Sequence, residues 1–246
     1  MITPPSPLPE TSVRDLVKSY GGRGAPPVLR GVSHAFPPES FTAVMGVSGS
    51  GKTTLLNCLC GLETPDSGEV VLDGTPLRGL GEDERAVLRR DRCGFVFQDY
   101  GLFDALDVRG SVALPRRLAG RPLEAGEAEA ALERVGLQGR ARSRIGELSG
   151  GQRQGVAIAR ALVGRPRVIA ADEPTGALDS RTARGVLGLL REAASEARAT
   201  AVMVTHDAAA AAWADEVLVM ADGRIAEILP GGDADRISRA ANRVWG

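Results

Sequence analysis

Short apolar runs alternate with longer segments of mixed polarity along much of the chain. Residues 41–45, 168–171, 200–205 and 216–220 are mostly apolar and lack a polar residue at every second position. Such runs are typical of strands buried on both faces. Helices are predicted near 53–60, 182–194 and 208–214. Strands that alternate with helices in this way predict an α/β fold with a mostly parallel sheet.

Two further regions differ from this alternation. Segments 12–20, 28–36 and 67–74 are also predicted to be strands, and Gly- and Pro-rich residues separate the first two. From about 99 to 167 the pattern becomes helical and rich in Ala, Leu, Glu and Arg. We therefore expect a mostly helical insert within the α/β core.

The two ends of the chain are interpreted separately. Residues 1–10 are Pro-rich and predict a loose tail, ahead of one domain over 11–232. Residues 233–246 predict a C-terminal helix or tail. In such a helix Ile237, Ala241 and Val244 would share one face, which favours docking on the core over contact with a partner or a membrane surface.

Composition excludes several classes of protein. The 246 residues include 30 basic and 31 acidic ones, which gives a net charge of -1. The chain therefore lacks the excess of basic residues that is typical of proteins that bind nucleic acid. No apolar run approaches the roughly 18 residues of a membrane-spanning helix, and residues 1–5 lack signal-peptide features. Any membrane role would then come through a partner. The three cysteines show no framework spacing and are expected to be reduced thiols, as in the cytoplasm.

A glycine-rich loop follows the apolar run 41–45. The sequence Gly46-Val47-Ser48-Gly49-Ser50-Gly51-Lys52-Thr53 fits the pattern of a phosphate-binding loop, and Thr54 continues into a predicted helix. The glycines allow successive N–H groups to point at one anion, next to the positive end of the helix. Lys52 is the candidate cation for the β- and γ-phosphates, and the Thr53 hydroxyl is a candidate Mg²⁺ ligand. A chance glycine turn is the simpler alternative.

Two acidic residues follow the apolar run 168–171. Asp172 and Glu173 lie where a parallel strand ends, and ligands of open α/β sheets bind at that edge. Asp172 is a candidate for holding Mg²⁺ through water, and Glu173 for polarising the water that attacks the γ-phosphate. By itself the pair could equally be a solvated strand end. Combined with the phosphate loop it indicates nucleotide hydrolysis.

A second anion-binding motif is more specific. Leu148-Ser149-Gly150-Gly151-Gln152 precedes a predicted helix, so a hydroxyl and free N–H groups would face an anion. This segment resembles the signature of ABC transporter ATPases, and the resemblance extends over residues 12 to 228. It implies a P-loop NTPase core with an N-terminal antiparallel β subdomain, and ATP and Mg²⁺ as ligands. It also implies that the signature meets the ATP of a second copy of the chain.

Other residues match the family in order. By this resemblance Tyr20 stacks on adenine, Gln98 contacts Mg²⁺ and links the subdomains, and His206 contacts the γ-phosphate. The segment Ala177-Leu178-Asp179 resembles the loop that crosses the dimer interface. Taken singly, Tyr20 could be a half-buried strand residue, Gln98 a strand-end polar group and His206 a hydrogen-bonded core residue.

The subgroup can also be narrowed by resemblance. Segments 172–179 and 94–98 resemble bacterial ATPases that serve lipoprotein release, macrolide export and cell-division permeases. This resemblance implies an integral membrane permease as partner and a location at the inner face of the cell membrane. It also implies that transport is export rather than import. The alternative is an ATPase that signals through a permease-like partner without moving a solute. An ABC ATPase of DNA repair or translation is disfavoured because no long heptad run is present.

One position departs from the family pattern. Gly155 occupies the place where the family usually has an arginine, three residues after the signature. A glycine inside a helix costs about 1 kcal/mol relative to alanine. The nearest basic residue, Arg153, would point about 200° away around the helix. We expect this departure to affect turnover rather than the ATP site.

Overall fold

The computed structural model describes residues 10–21, 24–176 and 178–246. The tail expected over residues 1–10 therefore lies almost wholly outside the described residues, as does Ala177. The strands are β1 (Thr11–Ser19), β2 (Pro27–Phe36), β3 (Phe41–Gly46), β4 (Ser67–Leu72), β5 (Thr75–Pro76), β6 (Cys93–Val96), β7 (Val168–Asp172), β8 (Thr200–Thr205), β9 (Glu216–Ala221) and β10 (Arg224–Pro230). The helices are α1 (Lys52–Leu59), α2 (Glu82–Arg92), α3 (Val108–Leu118), α4 (Glu127–Arg134), α5 (Gly150–Leu162), α6 (Ser180–Ala197), α7 (Ala208–Ala211) and α8 (Ala234–Trp245), with a 3-10 turn at Ile145–Glu147.

A six-stranded sheet forms the centre of the fold. Its order is β10-β9-β3-β8-β7-β6, and all neighbours from β9 to β6 run parallel. Strand β10 pairs antiparallel with β9 at one edge. The mostly parallel sheet was predicted from the apolar runs. The edge strand β10 was not, because its residues alternate between exposed and partly buried positions and form no apolar run.

A second sheet covers one face of the first. Its order is β2-β1-β4-β5, and every described pair in it is antiparallel. Helix α1 lies between the two sheets, where Leu55, Leu59 and Cys58 are buried with Leu16 and Leu72. The antiparallel β subdomain expected from the family resemblance is confirmed.

Helices cover the opposite face of the central sheet. The large apolar cluster there includes Ile158 of α5, Leu190 of α6 and Ile237 of α8, all nearly inaccessible to solvent. Ala241 is buried and Val244 partly buried in the same cluster, so α8 docks with the face that the sequence spacing predicted. Among the described residues, no helix is long and apolar enough to cross a membrane.

The region between β6 and β7 is helical and has its own apolar cluster. Helices α3, α4 and α5 contribute Val112, Leu132 and Val156, which are buried together with Ile145 and Leu148. Helix α5 is shared, because its residue Ile158 belongs to the main core. The signature helix therefore connects the helical part to the sheet.

Helix α2 was missed by the sequence analysis. It spans Glu82–Arg92 and buries no residue fully, although Leu88 packs partly buried against an apolar cluster, so its periodic signal is weak. It is also stabilised locally, by acidic residues in its first turn and basic residues in its last turn. Its capping box pairs the Glu84 carboxylate with the Gly81 N–H.

A matched pair of substitutions tests the helical cluster. Leu132 is 1% exposed, whereas Leu118, on the same subdomain, is 73% exposed. We expect Leu132→Ala to lower the free energy of unfolding by about 2–5 kcal/mol, because it leaves a cavity. Leu118→Ala should change it by less than about 0.5 kcal/mol. Urea unfolding followed by circular dichroism measures both, and equal losses would contradict the burial described above.

Candidate functional site

The carboxyl ends of the central strands bring the predicted site residues to one edge of the sheet. In the register of the parallel strands, Met45 lies opposite Thr205 and Gly46 opposite Met220. Asp172 lies opposite Val204. The phosphate loop, the acidic pair and His206 all begin at these positions, so residues more than 100 positions apart in sequence become neighbours.

The phosphate loop depends on glycine at its two ends. A methyl group on Gly46 would overlap with the Ser50 hydroxyl and lie 2.9 Å from the Met220 carbonyl oxygen. Gly51 has φ 97°, and a side chain there would meet Leu29 and Val28 at 2.9 Å. The Ser50 hydroxyl is buried and has no hydrogen-bond partner within the described residues. A closely wound loop with an unpaired polar atom suits the binding of an anion.

Lys52 lies folded back on the loop that carries it. Its Nζ donates to the carbonyl oxygens of Gly46 at 2.8 Å and Val47 at 3.1 Å. Burial lowers the pKa of Lys52, while the neighbouring Glu173 and Asp172 oppose that shift. The ammonium group therefore sits between the loop and the acidic pair, where a phosphate would meet it.

Thr53 and Asp172 form the candidate metal site. The Thr53 hydroxyl donates to Asp172 Oδ1 at 3.3 Å, across 119 positions of sequence. Burial raises the pKa of Asp172, the hydrogen bond from Thr53 lowers it, and the charge of Glu173 raises it further. A hydroxyl beside a partly desolvated carboxylate is a donor set that fits Mg²⁺, whose protein ligands are oxygen atoms.

Glu173 and His206 form a second close pair. The Nδ1 of His206 lies 2.9 Å from Glu173 Oε1. The backbone of Glu173 is left-handed, with φ 45°, and its N–H donates to the Val204 carbonyl at 2.9 Å. This conformation costs about 1–3 kcal/mol for a residue other than glycine and is concentrated at functional sites. It turns the carboxylate toward His206.

Tyr20 lies near the other end of the loop and is held by residues that the sequence analysis missed. Its hydroxyl donates to Glu63 Oε2 at 2.5 Å and lies 3.3 Å from Thr54 Oγ1. Lys18 Nζ lies 5.4 Å from the ring centroid and 3.8 Å from Glu63 Oε2. The ring is half exposed, as a stacking platform must be. No local signal identifies Glu63, because it follows α1 in a loop 43 positions from Tyr20.

The signature opens α5 with a reciprocal cap. The Gln152 N–H donates to Ser149 Oγ at 3.3 Å, and the Ser149 N–H donates to Gln152 Oε1 at 3.0 Å. A methyl group on Gly150 would lie 3.1 Å from the Tyr100 hydroxyl, and one on Gly151 would overlap with Thr182. The contacts of the signature therefore run to the start of α6 in its own chain.

Asp179 begins α6 and Gln98 follows β6, so neither belongs to the phosphate loop or to the acidic pair. Asp179 caps α6, where its carboxylate accepts from the N–H groups of Arg181 and Thr182. The Thr182 hydroxyl also donates to Asp179. This bond, together with the bonds from the N–H groups, lowers the pKa of Asp179. Gln98 is exposed in the turn after β6. Because Val96 of β6 pairs in parallel with Ala171, Gln98 follows its strand at the same edge of the sheet as Asp172. The sheet edge thus gathers the phosphate loop, the acidic pair and His206, while the signature and Asp179 lie at the starts of α5 and α6.

Comparison with known proteins agrees with this arrangement. The family model described as "ABC transporter" matches residues 29–176, more than half of the chain. A macrolide export ATP-binding/permease protein of Paracoccus denitrificans is 47% identical over 220 residues, which are 88% of this chain and 33% of the relative. A lipoprotein-releasing system ATP-binding protein of Pseudomonas syringae pv. tomato is 44% identical over 220 residues, 88% of this chain and 96% of the relative.

The solved structures agree as well. A dimeric ATP-binding cassette in a post-hydrolysis state, bound to ADP and Pi, superposes with a TM-score of 0.82 at 35% identity, covering 89% of this chain and 98% of that one. The chain belongs to the ABC transporter family. It is an ATP-binding ABC ATPase cassette with the α/β P-loop NTPase fold. It spans about a third of the length of the export relative and nearly all of the lipoprotein-releasing one.

The packing of α5 explains why this ABC cassette has room only for a small residue at Gly155. Gly155 is buried, and a methyl group there would lie 3.3 Å from Leu137 and 3.6 Å from the Val135 carbonyl oxygen. The glycine thus allows close packing between α5 and the segment after α4. Arg153 does not take the place of the missing arginine, since its guanidinium donates to the carbonyl oxygens of Ile145 and Gly146.

Asp172 should make the nucleotide-free protein less stable at neutral pH. Its raised pKa stabilises the fold below the unfolded-state pKa, and this contribution is lost as the pH rises through the folded-state pKa. We expect Asp172→Asn to raise the melting temperature at about pH 7.5 without nucleotide or Mg²⁺, and this gain should shrink toward about pH 4. Differential scanning calorimetry measures it. The exposed Asp104→Asn is the matched control, and a gain that is independent of pH would refute this explanation.

Proposed function

We propose that two copies of this chain enclose two ATP molecules and drive a separate integral membrane permease, as an exporter. Each ATP lies between the phosphate loop of one copy and the Ser149–Gln152 signature of the other. The observation that carries this proposal is the direction of the signature. It is capped and exposed at Ser149, yet its contacts run to Tyr100 and Thr182 rather than to the phosphate loop of its own chain.

On this proposal the phosphate loop and Tyr20 bind the nucleotide. The N–H groups of Gly49, Ser50 and Gly51 and the start of α1 surround the phosphates. Lys52 exchanges the carbonyl oxygens of Gly46 and Val47 for the β- and γ-phosphates. Tyr20 stacks on adenine, with its ring fixed by Glu63. Tyr20 is thus held in place by contacts within the chain, whereas Lys52 must change its partners.

Mg²⁺ fits the oxygen atoms of Thr53 and Asp172, and Gln98 is proposed to approach from the turn after β6. When bound there, the ion would neutralise charge on the β- and γ-phosphates. Because Asp172 is partly desolvated, a cation gains more from its carboxylate than it would in water.

Glu173 and His206 are the proposed catalytic residues. The Glu173 carboxylate accepts a hydrogen bond from water and orients its oxygen toward the γ-phosphorus. The new P–O bond forms as the bond to the leaving ADP oxygen breaks. With Nδ1 of His206 turned to Glu173, its Nε2 is the atom left to face a phosphate oxygen. The Glu173 carboxylate and a phosphate oxygen both only accept hydrogen bonds, so these two contacts require a proton on each nitrogen of the ring.

The permease is proposed to bind at the groove between β6 and α3. The groove has a volume of about 270 Å³ and is lined by Phe95, Phe97, Leu114 and Leu118 and by the arginines Arg89, Arg90 and Arg160. Leu118 ends the region near 98–118 and Phe97 directly precedes it, and both are exposed apolar residues. An apolar surface of this kind is typical of an interaction site. The proposal puts the chain at the inner face of the cell membrane, held there by the permease.

The relatives favour export over import. One is named for macrolide export and the other for lipoprotein release. On this proposal the permease selects the exported substrate, as the resemblance to the family implies.

The Glu173→Gln variant tests the catalytic assignment. An amide keeps the size of the side chain but orients water less effectively, so we expect ATP binding to persist and the hydrolysis rate to fall at least about 100-fold. With hydrolysis blocked, ATP should hold two copies together. Size-exclusion chromatography coupled to light scattering, with ATP present, should then report a dimer.

A matched variant controls for the loss of one carboxylate. Glu133→Gln changes an exposed residue of α4 and should retain the rate of the parent chain. If Glu173→Gln hydrolyses ATP at the parent rate and stays monomeric with ATP, the role proposed for Glu173 is wrong.

A further inference from the structure

The C-terminal helix α8 is capped at its start and packs on the core. At its start the Asp233 side chain accepts from the Arg236 N–H at 2.9 Å. Along its inner face Ile237, Ala240 and Ala241 are buried. Near its end Arg243 pairs with Glu227 of β10 at 3.2 Å. A helix packed along one face and paired near its end with β10 has a defined position relative to the sheet.

The last turn of this helix reaches the start of the phosphate loop. The indole Nε1–H of Trp245 donates to the carbonyl oxygen of Met220 at 3.1 Å. Met220 is the register partner of Gly46, the first residue of the loop. The same Met220 carbonyl oxygen is the atom that a methyl group on Gly46 would approach to 2.9 Å. Trp245 thus holds the carbonyl group against which the loop packs.

The same helix also forms a wall of the space beside the catalytic pair. A cavity of about 560 Å³ is lined on one side by Glu173 and His206. On the other side it is lined by Ser238, Asn242 and Trp245, which lie three or four residues apart and so share one face of α8. The C-terminal helix therefore borders both the loop that binds phosphate and the residues proposed to act on water.

We propose that α8 is part of the ATP site, with Trp245 as a positioning residue that acts on the phosphate loop through the Met220 carbonyl group. This inference rests on the proposed function. Without the indole N–H, the Met220 carbonyl group loses its partner in α8, and the start of the loop at Gly46 is less firmly placed. The phosphates then bind a less ordered set of N–H groups, which weakens nucleotide affinity.

Fluorescence provides a test that leaves the proposed contact intact. The chain has two tryptophans, so Trp213→Phe leaves Trp245 as the only one. Trp213 packs on α6, where its ring lies 3.8 Å from the position of a methyl group on Gly188. ADP is the probe, because it fills the phosphate loop without a γ-phosphate to close the dimer. In Trp213→Phe, we expect ADP to change the emission intensity of Trp245 by at least about 10%. In Trp245→Phe, where Trp213 is the remaining tryptophan, ADP should leave the emission unchanged.

Affinity provides the second test. Trp245→Phe keeps an aromatic ring but removes the N–H donor, and we expect the Kd for ADP, measured by isothermal titration calorimetry, to rise at least about threefold. Ile237→Val is the matched control on the same helix. It removes one buried methylene and lowers the melting temperature, but should leave the Kd unchanged.

The outcomes separate this inference from the proposed function. A parent chain that fails to bind ADP overturns the proposed function itself. A second outcome is that the parent chain binds ADP, the emission of Trp245 does not change, and Trp245→Phe has the same Kd as the parent chain. This outcome overturns only the role of α8. An equal rise in Kd for Ile237→Val and Trp245→Phe also overturns it, because the effect would then follow from lost stability alone.

Discussion

The register of the parallel strands is the constraint on which the site depends. It sets Met45 beside Thr205, Gly46 beside Met220 and Asp172 beside Val204. A shift by one residue would turn the side chains at the end of a strand to the opposite face of the sheet. The register is fixed because both faces are buried, against α1 and the second sheet on one side and against the helices on the other. The packing of the core therefore also determines the geometry of the site.

A buried arginine extends this constraint to the helical part. Arg160 of α5 is 9% exposed and donates to the carbonyl oxygens of Tyr100, at 2.9 Å, and Gly101. Burial lowers its pKa, and the nearby Asp99 opposes that shift. Since α5 begins at the signature and the turn before Tyr100 carries Gln98, Arg160 joins the signature helix to that turn. The groove proposed for the permease includes Arg160.

Three unfavourable local features lie where chemistry is proposed. Glu173 has a left-handed backbone, and burial together with the charge of Glu173 raises the pKa of Asp172. The Ser50 hydroxyl is buried without a partner in the described part of the chain. The surrounding structure tolerates these features because the strand ends are held by the sheet.

The sequence alone determined the features that are local in the chain. The apolar runs predicted the parallel strands, and the glycines of 46–53, the acids Asp172 and Glu173 and the signature indicated the family, because turns and capped helix ends need particular residues at fixed spacing. Tertiary structure decided which distant residues meet. Glu63 reaches Tyr20, Arg160 reaches Tyr100 and Gly101, and Trp245 reaches Met220 only because folding brings separate elements together. No pattern along the chain encodes such contacts, since each depends on the packing of elements far apart in sequence.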